Sequence, residues 1–466
     1  MQTEAKDARE PLRIYTPTAI IGYGFHDESF AKAKELGVDV ITVDSGSSDP
    51  GPTYLGEEKM LNEPEMIRDD LEKILTWSVP ENIPFITGTA GGSGSRKQLH
   101  LVRSIIESIA EQHGLSFRMA VIDCEFDTVD VLDLHAAGAI EPLWPVPDLE
   151  RGTIERSARI VGLMGAEPYI RALEMGAQVI IAGRSDDSAI TAGFAMWRGY
   201  SPDISWLAGK LLGCGAAVTE PKNLYGHDGV MGYLYPDSFE LEPLHPELRC
   251  TKRAVARMLG HENENARIHH EPGGVLDLTG MIMDQLSERR IRLSEPIFRP
   301  EPMSIRLEGV EVAGYRSIVV ATTRDPALIV DIDNYLERAM AKVDKFVAST
   351  GVAEPGEYRV EFQLIGHNAT MGTREPVDDR KELHEIGIIA DVVAPTQARA
   401  ATIAAKVRTS IKNAQFPGKY GHGSVAFPFS PSEVEVGKFY RYSVWHVART
   451  SNIDALFPIE IVEVKN

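Results

Sequence analysis

Gln178-Val-Ile-Ile-Ala-Gly-Arg-Ser-Asp-Asp-Ser-Ala-Ile190 sets an apolar run of strand length before a glycine, then a cation, two carboxylates and two hydroxyls. Val and Ile in unbroken succession fit a strand buried on both faces, the pattern of a parallel sheet covered by helices. In open α/β sheets ligands bind beyond the carboxyl ends of the strands, so Arg184, Ser185, Asp186, Asp187 and Ser188 are expected to face a crevice. Arg184 suits bidentate recognition of a substrate carboxylate, with Ser185 and Ser188 as further binding groups. Asp186 and Asp187 are expected to carry protons, provided a neighbour tunes them. Capping of a helix running through residues 194–197 is the competing role for Asp187 and Ser188, worth about 1 kcal/mol.

Upstream of this block, short apolar runs alternate with amphipathic ones. Residues 18–24 read as strand and turn, 28–36 as helix, 38–44 as strand, 83–89 as strand, 97–113 as helix, 117–123 as strand and 167–175 as helix. That rhythm predicts an α/β fold with a mostly parallel, Rossmann-like sheet in the N-terminal part. From 211 to about 300 the pattern blurs into Gly-, His- and Pro-rich sequence, which reads as long functional or linking loops. Beyond residue 302 a hairpin-like pair (303–307, 315–322), a helix (326–348), two strands (358–365, 385–393) and a helix (396–414) predict a smaller α+β C-terminal domain, ferredoxin-like in outline. With 466 residues, two domains are expected, 1–300 and 301–466.

Composition narrows the class of partner. A net charge of −20 with no Lys/Arg block repels a phosphate backbone, so nucleic acid is excluded as an expected partner. Residues 1–13 show no signal-peptide pattern, no apolar run approaches the length of a membrane span, and Cys124, Cys214 and Cys250 form no CxxC pair. A cytoplasmic protein without membrane contact is expected. Cys214, in an apolar setting, reads as packing rather than as a nucleophile.

Three further segments carry polar chemistry. Thr87-Gly-Thr-Ala-Gly-Gly-Ser-Gly-Ser-Arg-Lys97 lies between a strand and a helix, where glycines admit close approach and backbone N–H groups favour an anion. It fits neither the P-loop nor the GxGxxG spacing. Thr89, Gly91, Gly92, Ser93 and Gly94 are therefore candidate contacts to a phosphate or carboxylate, with a tight strand-to-helix turn as the alternative; Gly22-Tyr-Gly is a weaker version. Asp123, Glu125 and Asp127 alternate past a strand and suit either a hard cation or, preferably, a solvated face. Among the histidines, His227 in Tyr-Gly-His-Asp-Gly and His422 in Tyr-Gly-His-Gly-Ser are the candidate acid/base pair.

The stretch from Gly165-Ala-Glu-Pro-Tyr through Gly183-Arg-Ser-Asp-Asp-Ser188 resembles the acyclic terpene utilisation (AtuA-like) family, where a similar Gly-Ala-Glu-Pro segment leads through a strand into a block of Gly-Arg followed by Asp and Ser. Leu211-Leu-Gly-Cys-Gly-Ala, Asp391-Val-Val-Ala-Pro-Thr-Gln and Ala426-Phe-Pro-Phe-Ser-Pro extend the likeness. Thr219-Glu-Pro departs from it. The resemblance implies that Arg184, Asp187 and Ser188 stand on the family's Arg, Asp and Ser positions, and that the chain works in organic-acid or acyl-CoA catabolism.

Together these readings lead to an expected non-redox enzyme, a lyase, hydratase or isomerase, acting on a small-molecule organic acid or CoA ester and assembling as a homo-oligomer. No cofactor is expected, and a divalent metal is left open with no ligand assigned. A metal-dependent hydrolase using the Asp/His set, and a non-catalytic ligand-binding subunit, are the alternatives.

Overall fold

Val179–Ala182 is a strand with all four residues buried, flanked on both sides by parallel partners, Phe85–Gly88 and Phe117–Ile122. A computed structural model describes residues 10–221, 228–261, 265–378, 380–419 and 423–465. The sheet around this strand runs, in spatial order, 282–285, 291–294, 238–243, 230–234, 12–16, 40–44, 85–88, 179–182, 117–122 and 459–464. Its five central strands, from 12–16 to 117–122, are parallel, and antiparallel strands extend it on both sides. The fold is thus mixed α/β, and the expected mostly parallel sheet is confined to those five strands.

The parallel core forms where its sequence is apolar on both faces. The helix Arg96–His113 covers it with Leu99, Val102, Ile106, Ile109 and Ala110, spaced by three and four residues. Its start is fixed by a capping box, in which the Ser95 hydroxyl accepts from the Gln98 N–H while the Gln98 side chain accepts from the Ser95 N–H.

Several expected elements move. The first strand is Leu12–Thr16 rather than 18–24, of which a single bridge, Ile20 to Asp44, is strand-like. Gly22 and Gly24 there donate their N–H groups to the Asp70 carboxylate at 2.6 and 3.2 Å, so this turn binds its own side chain. The stretch 211–300 is not loop: it holds the strands Val230–Leu234, Ser238–Pro243, Ile268–Glu271, Gly274–Asp277, Ile282–Gln285, Ile291–Ser294 and Ile297–Pro300, and the helix Lys252–Leu259. In place of a hairpin at 303–322 there is one long strand, Ser304–Thr323.

By contacts the chain divides into two units, Met1–Glu311 with Tyr442–Asn466, and Val312–Arg441. In the second unit the chain runs strand, helix, strand, strand, helix, strand, and its helices Ile332–Thr350 and Gln397–Asn413 cover a sheet built on Arg359–Ile365 and Ile386–Ala394. Ile386, Ile388, Ala390, Val392 and Ala394 alternate toward the helices, which answer with Leu336, Ala339, Val343 and Ile403, Ala404, Val407. Among the described residues no helix is long and apolar enough to cross a membrane.

Candidate functional site

Past Ala182 the chain enters a gap that only glycine fits. A side chain at Gly183 would overlap the Cys124 sulfur, and one at Gly94 would overlap the Arg184 backbone nitrogen. Gly94 also has a φ of +72°, which L side chains rarely adopt. The Gly-rich loop therefore lies directly against the strand end. Two of its N–H groups bond there: Thr89 donates to the Gly183 carbonyl and Ala90 to that of Ala182, at 2.8 and 3.0 Å. The Ser93 and Ser95 N–H groups donate to the Gln98 side chain. Thr89, Gly91, Gly92, Ser93 and Gly94 are all buried and are absent from the cavity lining described next. Gly94 serves the approach of backbone to backbone, while Gly91 and Gly92 make room for Met60, Gln98 and Leu61.

From Arg184 onward the side chains diverge. Ser185 is wholly buried and accepts the Tyr169 hydroxyl proton at 2.9 Å. Asp186 caps the helix Asp187–Trp197 by accepting the Ser188 N–H at 2.9 Å. Arg184, Asp186, Asp187 and Ser188 nevertheless line one cavity of about 330 Å³. Within the first unit, Lys210 reaches it from the helix Pro202–Leu212, His270 from the strand Ile268–Glu271 and Arg306 from the strand Ser304–Thr323. Asp49, Cys214 and Trp445 complete much of the wall, so Cys214 borders a polar cavity rather than an apolar core.

Arg184 is already engaged. Its Nε and Nη2 donate to the two oxygens of Glu308 at 3.0 and 3.3 Å, and both side chains are buried. A second cation, Arg306, donates from Nε to Glu308 Oε1 at 2.8 Å and stacks 4.7 Å from the Trp445 ring centre. Burial alone would push the Glu308 carboxyl up, but the two guanidiniums outweigh it and hold it down at about 2. Two guanidiniums facing one carboxylate leave a net positive charge, and the partly exposed Arg306 presents it to the cavity. The free fork expected of Arg184 is thus filled from within, and Arg306 takes its place at the wall.

On the other side, Lys210 Nζ stands 2.9 Å from Glu271 Oε1, with the Glu271 side chain sealed from solvent. Burial pushes the Glu271 carboxyl up to about 8; Lys210 pulls it down, while the Asp186 charge pushes it up again. The Lys210 ammonium is held charged: burial opposes it, but Glu271, Asp186 and Asp187 together prevail. Asp44, wholly buried, is raised well above the usual carboxylate range by burial and then by the Asp187 charge, against the pull of Arg184. Each of the two consecutive aspartates therefore acts electrostatically on a buried carboxyl.

These shifts make stability depend on pH. Glu271 loses its proton near 4.5 in the unfolded chain and near 8 in the folded one, so its contribution is full below about 4.5 and is lost as pH rises through 8. Glu308 behaves oppositely, stabilising above 4.5 and losing its contribution as pH falls through about 2. We expect the melting temperature to decline between about pH 5 and 8, and Glu271→Gln to flatten that decline. Thermal melts across this range check it; an unchanged slope in the variant contradicts the assignment.

His227 and His422 lie outside the described residues. Among the described residues no group of three or more His, Cys, Asp or Glu side chains is arranged to hold a metal ion. Asp123, Glu125 and Asp127 are neither a cation site nor merely solvated: Arg96 Nε meets Asp123 at 2.6 Å and Arg96 N–H donates to Glu125 at 2.8 Å. Lys210, Glu271, Arg306 and Glu308 were not among the expected site residues. Their signals were present as single charges in apolar settings: Lys210 ends Trp-Leu-Ala-Gly-Lys, and Arg306 and Glu308 sit two apart on one strand face.

The first unit is therefore a mixed α/β body whose charge-lined cavity gathers where parallel strands end. The family model described as acyclic terpene utilisation family protein AtuA matches residues 13–228, and over that stretch the chain is AtuA-like. The matched region includes the 183–188 block and Lys210, while Glu271, Arg306 and Glu308 follow it. No curated protein and no solved structure matches the chain.

Proposed function

We propose that the chain is a non-redox enzyme, a lyase, hydratase or isomerase, that moves a proton on a small carboxylate- or phosphate-bearing substrate. The observation that carries this reading is one cavity collecting Arg306 and Lys210 as anion contacts and Asp186 and Asp187 as proton carriers at the start of one helix. Carboxyls placed beside buried carboxyls are a means of separating acid and base roles. Arg184 acts through Glu308 as a positioning residue. His227 and His422 remain proposed as additional acid/base groups. At about 330 Å³ the cavity is at the small end of ligand pockets. It suits a short organic acid, or the acyl end of a CoA ester whose carrier arm extends outside.

Five parallel strands joined through helices support a Rossmann-like reading of the first unit, and the strand-helix-strand, strand-helix-strand order a ferredoxin-like reading of the second. A cytoplasmic homo-oligomer acting on free metabolites completes the proposal; it requires no redox cofactor.

The test is solvent deuterium incorporation. The full chain is incubated in D₂O with a panel of short hydroxy, unsaturated and branched carboxylic acids and their CoA esters, followed by NMR. Exchange or turnover of at least one acid is expected, insensitive to chelator. Hydrolysis that a chelator abolishes would replace the reading with a metal-dependent hydrolase, and binding without exchange would replace it with a ligand-binding subunit.

A further inference from the structure

Next to the charged cavity lies a second one of different chemistry, about 620 Å³ and also lined wholly by residues of the first unit. Asp49 and Trp445 belong to the walls of both. Trp445 thus carries the Arg306 guanidinium 4.7 Å from its ring centre and continues into the second cavity.

Tyr442, Trp445 and His446 bring three rings to this second cavity from one strand. The polar atoms of Tyr442 and His446 are bonded within the protein. The Tyr442 hydroxyl donates to the Ser48 carbonyl, and burial pushes its pKa up to about 12. His446 accepts the Trp445 N–H at Nδ1 and donates from Nε2 to the Pro147 carbonyl, both at 3.0 Å, which fixes a neutral imidazole. Burial favours the same neutral form. Tyr442 and Trp445 meet edge to face with ring centres 5.7 Å apart, an arrangement that a further ring extends. Val146, Pro147 and Leu149, between the strand Ile140–Pro142 and the helix Arg151–Arg156, add apolar wall.

Charge separates the two cavities further. Arg184, Lys210 and Arg306 line the first. Among the described residues no lysine or arginine lines the second, whereas the exposed Asp49, Asp148 and Glu150 do. A second anionic group, whether another carboxylate or the phosphates of a carrier, is repelled there. A neutral apolar group is not.

We propose that the second cavity takes an aromatic ring carried by the substrate, which is then a monocarboxylate with an aryl tail. The carboxylate rests on Arg306 and Lys210, and the tail passes Trp445 to place its ring among Tyr442, Trp445 and His446. The inference rests on reading the charged cavity as the proton-transfer site and names the substrate class of that site. An alkyl tail gains the same burial, but ring contacts add about two- to tenfold in affinity.

Titration calorimetry of the full chain with lactate, phenyllactate, cyclohexyllactate and malate varies the tail on one hydroxy-acid head. Phenyllactate should bind at least about tenfold more tightly than lactate. It should also bind about two- to tenfold more tightly than cyclohexyllactate, with malate weaker than phenyllactate. Val146→Lys sets a cation in the second cavity, and should weaken phenyllactate about tenfold, leave lactate unchanged and strengthen malate. Should that variant not fold, Asp148→Lys makes a like change of charge at an exposed position. Equal binding of lactate and phenyllactate, tighter binding of cyclohexyllactate or malate than of phenyllactate, or a phenyllactate-to-lactate ratio unmoved by the lysine variant overturns the ring site. Aryl acids that bind as expected while no acid exchanges deuterium remove the proposed function and leave the ring site. Exchange of short acids with no preference for aryl ones removes the ring site and leaves the function.

Discussion

Replacing Glu308 by alanine should destabilise the protein by about 3–5 kcal/mol, since it strands the buried Arg184 guanidinium without its bidentate partner. Arg184 has few substitutes at hand. Its remaining donations go from Nη1 to the Thr89 hydroxyl at 3.5 Å and the Ser185 carbonyl at 3.3 Å, both neutral. Asp44 is close enough to act on Arg184 electrostatically, but burial and the Asp187 charge hold its carboxyl up. The double variant Arg184→Met/Glu308→Leu separates the pair's net worth from the cost of breaking it, and should recover most of the loss. Denaturant unfolding followed by two probes measures both. A loss below about 1 kcal/mol in Glu308→Ala would show that solvent reaches Arg184.

Asp187→Asn should lower turnover on the acid identified by exchange by about 10²- to 10⁴-fold, the range expected when a positioned acid or base is removed. The fold should tolerate it. Asp187 is half-buried at the first turn of the 187–197 helix, and Asn has almost the same shape. Its charge pushes the Asp44 carboxyl up, so neutralising it eases the ionisation of Asp44 while it also loses a favourable interaction with Lys210 and Arg184. These effects oppose each other, and the unfolding midpoint should stay close to that of the parent. Activity within about twofold of the parent would remove Asp187 from the mechanism and leave it the helix-terminal role that competed for it from the start.

The legible parts of the fold were those whose pattern is local. Phe85–Gly88, Phe117–Ile122 and Val179–Ala182 are covered on both faces and so appear as near-continuous apolar runs. Ile282–Gln285 and Ile297–Pro300 are four-residue strands with mostly exposed side chains, too short and too polar to stand out from loop. The hairpin expected at 303–307 and 315–322 is one strand, Ser304–Thr323, which continues through Gly309 and Gly314. Gly309 allows the close approach of Val444, and Gly314 that of the Ala394 carbonyl.

The site divides the same way. Arg184 to Ser188 could be found because they are contiguous and follow a strand. Lys210, Glu271 and Glu308 are brought to them by tertiary packing, and a lone charge in an apolar segment does not declare its partner. The Gly-rich loop left two readings open for a physical reason. Glycine admits a ligand and admits another backbone by the same lack of a Cβ, and here the neighbour is the Gly183–Arg184 backbone.

A crystal structure of the chain with the acid identified by deuterium exchange tests the central claim most directly. The account predicts the ligand carboxylate within hydrogen-bond reach of Arg306 and Lys210, its reacting carbon facing Asp186 and Asp187, and Arg184 still paired with Glu308. An acid bound elsewhere, with this cavity empty, would contradict it.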